Sequence, residues 1–480
     1  MRSIGSATLI ALVFATAAGW ADRAPAAAPA PAAATRSTAL LRLYERHDFF
    51  ALRARLRAVR HDRSPDVRFY EAATDSAFNA LEASNRTLAS VLAMPHLEPI
   101  LRRSALALKR RNDTRLFRYR AAADDARRQL AVRGAADPAE TASLTNDLHL
   151  LQALADVPPQ TVAIDAETAI ALRAGAAGGR CVPIRLDDKP RCYILAPGAR
   201  DSMITRSDAR ALGLRIRPAA FHPGLSTSPE ATADVTIAEQ VTIGHLAYRH
   251  VVFLVVPDDV LSTGHGRHAA GALGFPVIEA MGEVEFQKGG VIRVPKSPPA
   301  RPPGTLALDG SHLLAQVGYD GRQFVCRFDP DAARTVFYEP FFRRFRAGIV
   351  RAGEAHISEV DGIDGPQPVP GFRLPALAIT LAGMPVTIAP ADVFAALVTD
   401  PRHNYLYCDV GRDALGPFDA YTINFRSMSL VLGKQALALE PEAPRGLTAS
   451  PGSGARPPAS SHGSPRPYSP AGAAPPAATR

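Results

Sequence analysis

The sequence predicts a multidomain protein in which an α-helical N-terminal domain precedes an all-β unit made of two similar halves. Three observations carry that expectation. From Ser37 to about Asp156 apolar residues recur at helical spacing and glycine is nearly absent. From Val157 onward short apolar runs alternate with Gly, Pro, Asp and Asn turns, as strands do. In that second region one order of strand, turn, strand and helix-like run is met twice. At 480 residues the chain can hold two or three cores, while 42 prolines and an Ala-rich bias point to end segments that enter none.

Taken in order, residues 1–21 read as a signal peptide. Met1 and Arg2 precede an apolar run from Ala7 to Ala18, and Gly19-Trp20-Ala21 suits cleavage before Asp22. The run is shorter than the ~20 residues a spanning helix needs. Export to the periplasm or the medium is expected, with no stable membrane insertion. Residues 22–36, almost all Ala and Pro, read as a linker.

The helical domain, residues 37–157, is broken only around Ser64-Pro65, Met94-Pro95 and Gly134 to Pro138. Segments near Leu41 to Val59, Phe69 to Val91 and Ile100 to Ala131 read as helix pairs or long helices, either a tetratricopeptide-like stack or a plain bundle. The sequons at Asn85 and Asn112 fall inside these helices and are treated as chance. The formal charge of +9 is concentrated here, in runs such as Arg102-Arg103, Lys109-Arg110-Arg111 and Arg127-Arg128. Because Asp and Glu are interleaved with them, they read as a solvated face, which argues against nucleic acid and leaves an anionic surface or an acidic protein partner.

The β unit divides into residues 158–297 and 303–436 about a proline-rich hinge, Pro295 to Pro303. Expected strands include Val182 to Leu186, Cys192 to Leu195, Val235 to Ile237, Val251 to Val256 and Val284 to Phe286. The four cysteines, Cys181, Cys192, Cys326 and Cys408, allow two disulfides in three connectivities, or remain buried thiols. A hairpin turning over Asp187 to Pro190 sets Cys192 opposite Arg185 and so away from Cys181. Residues 437–480, rich in Pro, Ser, Ala and Gly, read as a disordered tail.

Two short stretches sit at corresponding places in the halves: Leu195-Ala196-Pro197-Gly198-Ala199 and Phe328-Asp329-Pro330-Asp331-Ala332. The first leads into Ser202-Met203-Ile204-Thr205 and, much later, an apolar-Gly corner at Ala272-Leu273-Gly274. The second leads into Thr335-Val336-Phe337-Tyr338 and ends at Val410-Gly411-Arg412-Asp413. On these motifs the chain, over roughly Pro158 to Gly433, resembles the bacterial retropepsin-like, two-lobed aspartic proteases. Their lobes carry Asp-Thr-Gly-Ala followed by Thr or Ser, above an apolar-Gly corner. The resemblance implies an all-β two-lobed fold, with Ala196-Pro197-Gly198-Ala199 and Asp329-Pro330-Asp331-Ala332 as the two active-site turns. Ser202 and Thr335 then hold the later hydroxyl positions, and Asp329 is the retained catalytic carboxylate.

Aspartic-protease chemistry uses two facing carboxylates that share one proton. Ala196 removes one of them. Pro197 and Pro330 supply neither the hydroxyl nor the N–H that would link the turns, and Asp331 adds a side chain and a negative charge where glycine allows close approach. Asp329 alone is either a weak general base or a turn-capping Asp, and Asp201 lies beyond the first turn. His265 and His268 have a metal-like spacing without a third ligand, and no phosphate loop or G-x-S-x-G elbow occurs, so no metal or cofactor is expected. The expectation is a catalytically impaired homologue that binds extended peptide or protein between the lobes, with flaps around Phe221 to Ile237 and Glu354 to Pro370. Two alternatives stand beside it: an active aspartic endopeptidase using Asp329, and a partner-binding helical module on a structural β unit.

Overall fold

The computed structural model describes residues 31–134, 137–175, 180–224, 231–263, 267–302, 304–362, 365–398 and 405–435. The expected signal peptide, most of the linker, His265 and the tail lie outside the described residues.

Among the described residues seven helices come first: α1 (Pro31–Glu45), α2 (Phe49–Arg57), α3 (Pro65–Ala77), α4 (Leu81–Leu92), α5 (Pro99–Arg115), α6 (Tyr119–Leu130) and α7 (Pro138–Ala153). Proline opens α3, α5 and α7, where its missing N–H costs nothing. Asp48 caps α2 and Asp137 caps α7 through their side chains. The helix α1 begins within the segment read as linker, since a proline followed by three alanines is a good first turn.

The three segments of ambiguous length each resolve into a helical hairpin with one and the same turn. His47, Asn79 and Phe117 take positive φ, and the N–H of each donates three residues back. The next N–H (Asp48, Ala80, Arg118) reaches five residues back, to Leu43, Asp75 and Asp113. This double closure ties off the carbonyls at a helix end. Both sequon asparagines are buried, and Asn112 Nδ2 donates to Ser84 Oγ and Asn85 Oδ1 between α4 and α5.

The first half contributes β1 (Thr161–Ile164), β2 (Thr168–Ala171), β3 (Arg173–Ala174), β4 (Arg180–Leu186), β5 (Lys189–Leu195), β6 (Ser202–Thr205) and α8 (Arg206–Ala211). It continues with β7 (Arg217–Phe221), β8 (Ala233–Ile243), β9 (Leu246–Val256), β10 (Ser262–Thr263), β11 (Arg267–His268), β12 (Gly271–Leu273), α9 (Phe275–Ala280), β13 (Glu283–Gln287) and β14 (Val291–Val294). The second half contributes β15 (Leu306–Asp309), β16 (His312–Tyr319), β17 (Arg322–Phe328), β18 (Val336–Phe337), α10 (Glu339–Ala352), β19 (Glu354–Gly362) and β20 (Gly365–Leu374). Last come β21 (Leu377–Leu381), β22 (Met384–Ile388), β23 (Ala391–Phe394), β24 (Cys408–Val410), α11 (Arg412–Leu415), β25 (Ala420–Asn424) and β26 (Ser429–Leu432).

The duplication is topological as well as sequential. In the first half β12 lies parallel to β5 and antiparallel to β6, while β6 lies parallel to β9. In the second half β24 lies parallel to β17 and antiparallel to β18, while β18 lies parallel to β23. The halves then share one sheet of order β2-β14-β13-β25-β26, in which Glu283 to Gln287 pair with Asn424 to Ala420. One apolar cluster runs from Val182 through Ile278 and Val317 to Leu430, binding the two lobes and the shared sheet together.

The β4–β5 hairpin differs from the sequence reading. Its turn is only Asp187-Asp188, both at positive φ, so Pro190 lies in β5 opposite Arg185 and Cys192 lies opposite Pro183. Consecutive aspartates accept the left-handed pair that a two-residue hairpin demands. The register therefore shifts by two residues, which keeps every side chain on its face but brings Cys181 within diagonal reach of Cys192, and the two are disulfide-bonded. Cys326 and Cys408, on the adjacent parallel strands β17 and β24, form the second disulfide, leaving no free thiol. Two disulfides suit an oxidising compartment, and no described helix is long and apolar enough to cross a membrane.

Candidate functional site at the paired turns

The two motif turns are built from the same bonds. Ala196 N–H donates to the Leu273 carbonyl at 2.9 Å, and Asp329 N–H to the Val410 carbonyl at 3.0 Å. Ala199 N–H closes on the Ala196 carbonyl at 3.0 Å, and Ala332 N–H on Asp329 at 3.1 Å. The hydroxyl positions match too. Ser202 Oγ accepts the Gly274 N–H at 2.9 Å, and Thr335 Oγ1 accepts the Gly411 N–H at 3.0 Å. A Cβ on Gly274 would lie 2.5 Å from the Asp201 carbonyl, and one on Gly411 2.5 Å from the Arg334 carbonyl. Glycine is required at both corners because backbone packs on backbone. Ala196 thus stands in the place of Asp329, and no carboxylate stands there.

The Asp329 carboxylate is held by its own turn. Its Oδ1 accepts the N–H groups of Asp331 and Ala332 at 3.1 and 3.2 Å, an Asp-capped turn. Its Oδ2 lies 3.6 Å from Arg327 Nη2. The same guanidinium nitrogen donates to Asp409 Oδ2, which also accepts the Tyr338 hydroxyl at 2.8 Å. The Asp409 and Asp329 charges oppose the burial of Arg327 and hold it firmly protonated. At the same register in the first lobe stand Ile194 and Ala272. Arg327, Asp409 and Tyr338 were not singled out from sequence. The available signal was a charge interrupting each of two apolar strands, F-V-C-R-F and C-D-V.

Asp331 lies beside the same turn. Burial, and secondarily the Asp329 charge, push its carboxyl up to about 7, while Arg412 and the Gly198 amide of the opposite turn favour its charged form. Its surface is partly open although protein surrounds it. The turns come together around a cavity of about 20 Å³ lined by Pro197, Gly198, Ser311, His312, Leu313, Arg327, Phe328, Asp329 and Pro330. That is room for a water molecule. Asp329 is the sole carboxylate among those lining residues.

The remaining sequence candidates fall elsewhere. Asp201 accepts from Arg200 Nε at 2.7 Å and does not line the cavity. Thr335 donates to Asp413 Oδ1 at 2.6 Å, and both Asp413 oxygens accept its N–H, so this carboxylate is fully used in bracing the corner. His268 is exposed on β11, and no group of three metal-ligating side chains occurs among the described residues. The expected flap arms are β7 with β8 and β19 with β20, paired as antiparallel hairpins.

Comparison with known proteins gives one family match: residues 182–277 fit the aspartyl protease family model. Among solved structures, a retropepsin-like aspartic protease from Rickettsia conorii matches over 28% of this chain and 92% of its own, at 18% identity and a TM-score of 0.21. No curated protein matches the chain. The matched segment runs from β4 through the first turn, β7 and β8 to α9, and the second half repeats its strand order around Asp329. Behind its helical region, this chain has a β-rich part whose first lobe matches the aspartyl protease family model over residues 182–277 and whose second lobe repeats that lobe's strand order.

Proposed function

We propose that the chain is an exported retropepsin-like protein that does not run shared-proton peptide hydrolysis and instead binds an extended peptide or protein segment between its lobes. One observation carries the reading: Ala196 occupies the place of the partner carboxylate, and the surviving Asp329 lies beside the half-buried Arg327. A dyad needs one carboxylate to keep a proton while the other is ionised. Asp329 faces a guanidinium 3.6 Å away and no second carboxylic acid lines the cavity, so an attacking water has no acid partner there. Losing a positioned acid or base costs about 10²–10⁴ in rate, and the prolines at positions 197 and 330 remove the cross-turn hydroxyls as well.

The binding half of the reading rests on the retained architecture. Both turns, both flap arms and the shared sheet persist, and β7 and β19 are strands at sheet edges, where extended chains add by main-chain hydrogen bonds. Export rests on the two disulfides and on the N-terminal sequence pattern. Fluorescein-labelled casein, a flexible chain, is a suitable probe: the reading expects saturable binding to the full chain with the label recovered uncut, and cut label would favour an active endopeptidase using Asp329.

A further inference from the structure

The helical region does more than precede the lobes. The helix α7 lies across the first lobe where the flap arm and the motif turn face each other. Asn146 on α7 donates from Nδ2 to the His222 carbonyl and accepts the His222 N–H at Oδ1, both at 2.8 Å, satisfying the backbone just beyond β7 as a neighbouring strand would. The next residue, Asp147, lies 3.7 Å from Arg200, which directly follows the first turn and sits 5.2 Å from the Phe221 ring centroid on the flap arm. Arg110 of α5 anchors Asp147 at 2.6 Å.

Apolar packing agrees. Tyr119, Ala122, Leu150, Leu151 and Leu154 of the α6–α7 region share one cluster with Ala199 of the turn, Met203 of β6, and Phe221 and Val235 of the flap arms. The second lobe is different at the equivalent positions. Ala199 is buried and Arg200 and Asp201 are partly covered, whereas Ala332 is partly covered and Ala333 and Arg334 are exposed. Val336, the counterpart of Met203, and Val369 of β20 do share a cluster with α1–α3, so the contrast lies in the stretch right after each turn, which is covered in the first lobe and exposed in the second.

We propose that α7 is the resident occupant of the first-lobe half of the groove, so that an extended chain must displace it to bind along the full length. This rests on reading the groove as a peptide site. It adds a regulatory device: apparent affinity is the intrinsic affinity reduced by the fraction of molecules in which α7 is released.

The test uses the full chain and an Asn146→Ala/Asp147→Ala variant. Labelled casein should bind the variant at least about tenfold more tightly, since a released α7 no longer competes. Equal affinity for both proteins, with casein protecting residues 199–204 and 217–222 of the wild type from hydrogen exchange, would overturn the proposal. If casein binds neither, the peptide reading itself fails, and exchange without casein decides the occupancy. Faster exchange of 199–204 and 217–222 in the variant, with 327–335 unchanged, supports it; no change there overturns it. Should the double variant misfold by circular dichroism, Asn146→Asp keeps the acceptor for the His222 N–H but loses the donor, and should show the same changes to a smaller degree.

Discussion

Arg327 and Asp409 stand side by side on the parallel strands β17 and β24, at the register that Ile194 and Ala272 hold on β5 and β12. The two lobes are thus alike in backbone and opposite in chemistry beneath their motif turns. One has an apolar pair under an alanine, the other an ion pair under an aspartate.

Breaking that pair should be costly and replacing it whole should not. Arg327→Met alone strands Asp409, which is 5% exposed, and should destabilise the fold by about 3–5 kcal/mol. The triple variant Arg327→Met/Asp409→Leu/Tyr338→Phe, which removes the charges and the hydroxyl that points at them, should recover most of the loss. Urea unfolding measures both. A triple variant no more stable than the single one would mean the pair is worth more than its desolvation.

Asp331 gives a pH dependence of unusual sign. A carboxyl raised to about 7 prefers its proton in the folded state. Its contribution is therefore fully present below the unfolded value near 4 and is lost as pH rises through about 7. Asp331→Asn should match the wild type at pH 4 and be more stable at pH 8, by on the order of 2–4 kcal/mol. Thermal melts at the two pH values check this, and a variant equally destabilised at both would contradict it.

The two disulfides should differ in worth. Cys326–Cys408 closes 82 residues and Cys181–Cys192 closes 11. Chain-entropy reasoning gives about 4.5 and about 2.8 kcal/mol, so the paired serine substitution at 326 and 408 should be the more destabilising in denaturant.

How much of this could be read from the sequence depends on how local each feature is. The helices showed in their apolar period, and the motif turns showed because an apolar strand ended twice in a small-residue or Asp turn before a hydroxyl. Features created by pairing did not show. The two-residue turn at Asp187-Asp188 set a register, and with it a disulfide, that a longer turn would have denied. Arg327 and Asp409 are far apart in the chain and become neighbours only because β17 and β24 run parallel. Asn146 carries no motif at all; its role follows from where α7 rests on the flap arm.

Restoring one carboxylate should not restore chemistry. Ala196→Asp returns the second acid, yet Pro197, Pro330 and the Arg327 guanidinium remain. Casein cleavage at pH 4 should stay indistinguishable from that of the wild type, and a large gain from this single change would show that the rest of the site is intact.

Casein hydrolysis by the purified full chain between pH 3 and 7, with and without pepstatin and beside Asp329→Asn, tests the central claim most directly. The account predicts no cleavage that depends on Asp329 at any pH. Cleavage in the acidic range that pepstatin blocks and Asp329→Asn abolishes would contradict it.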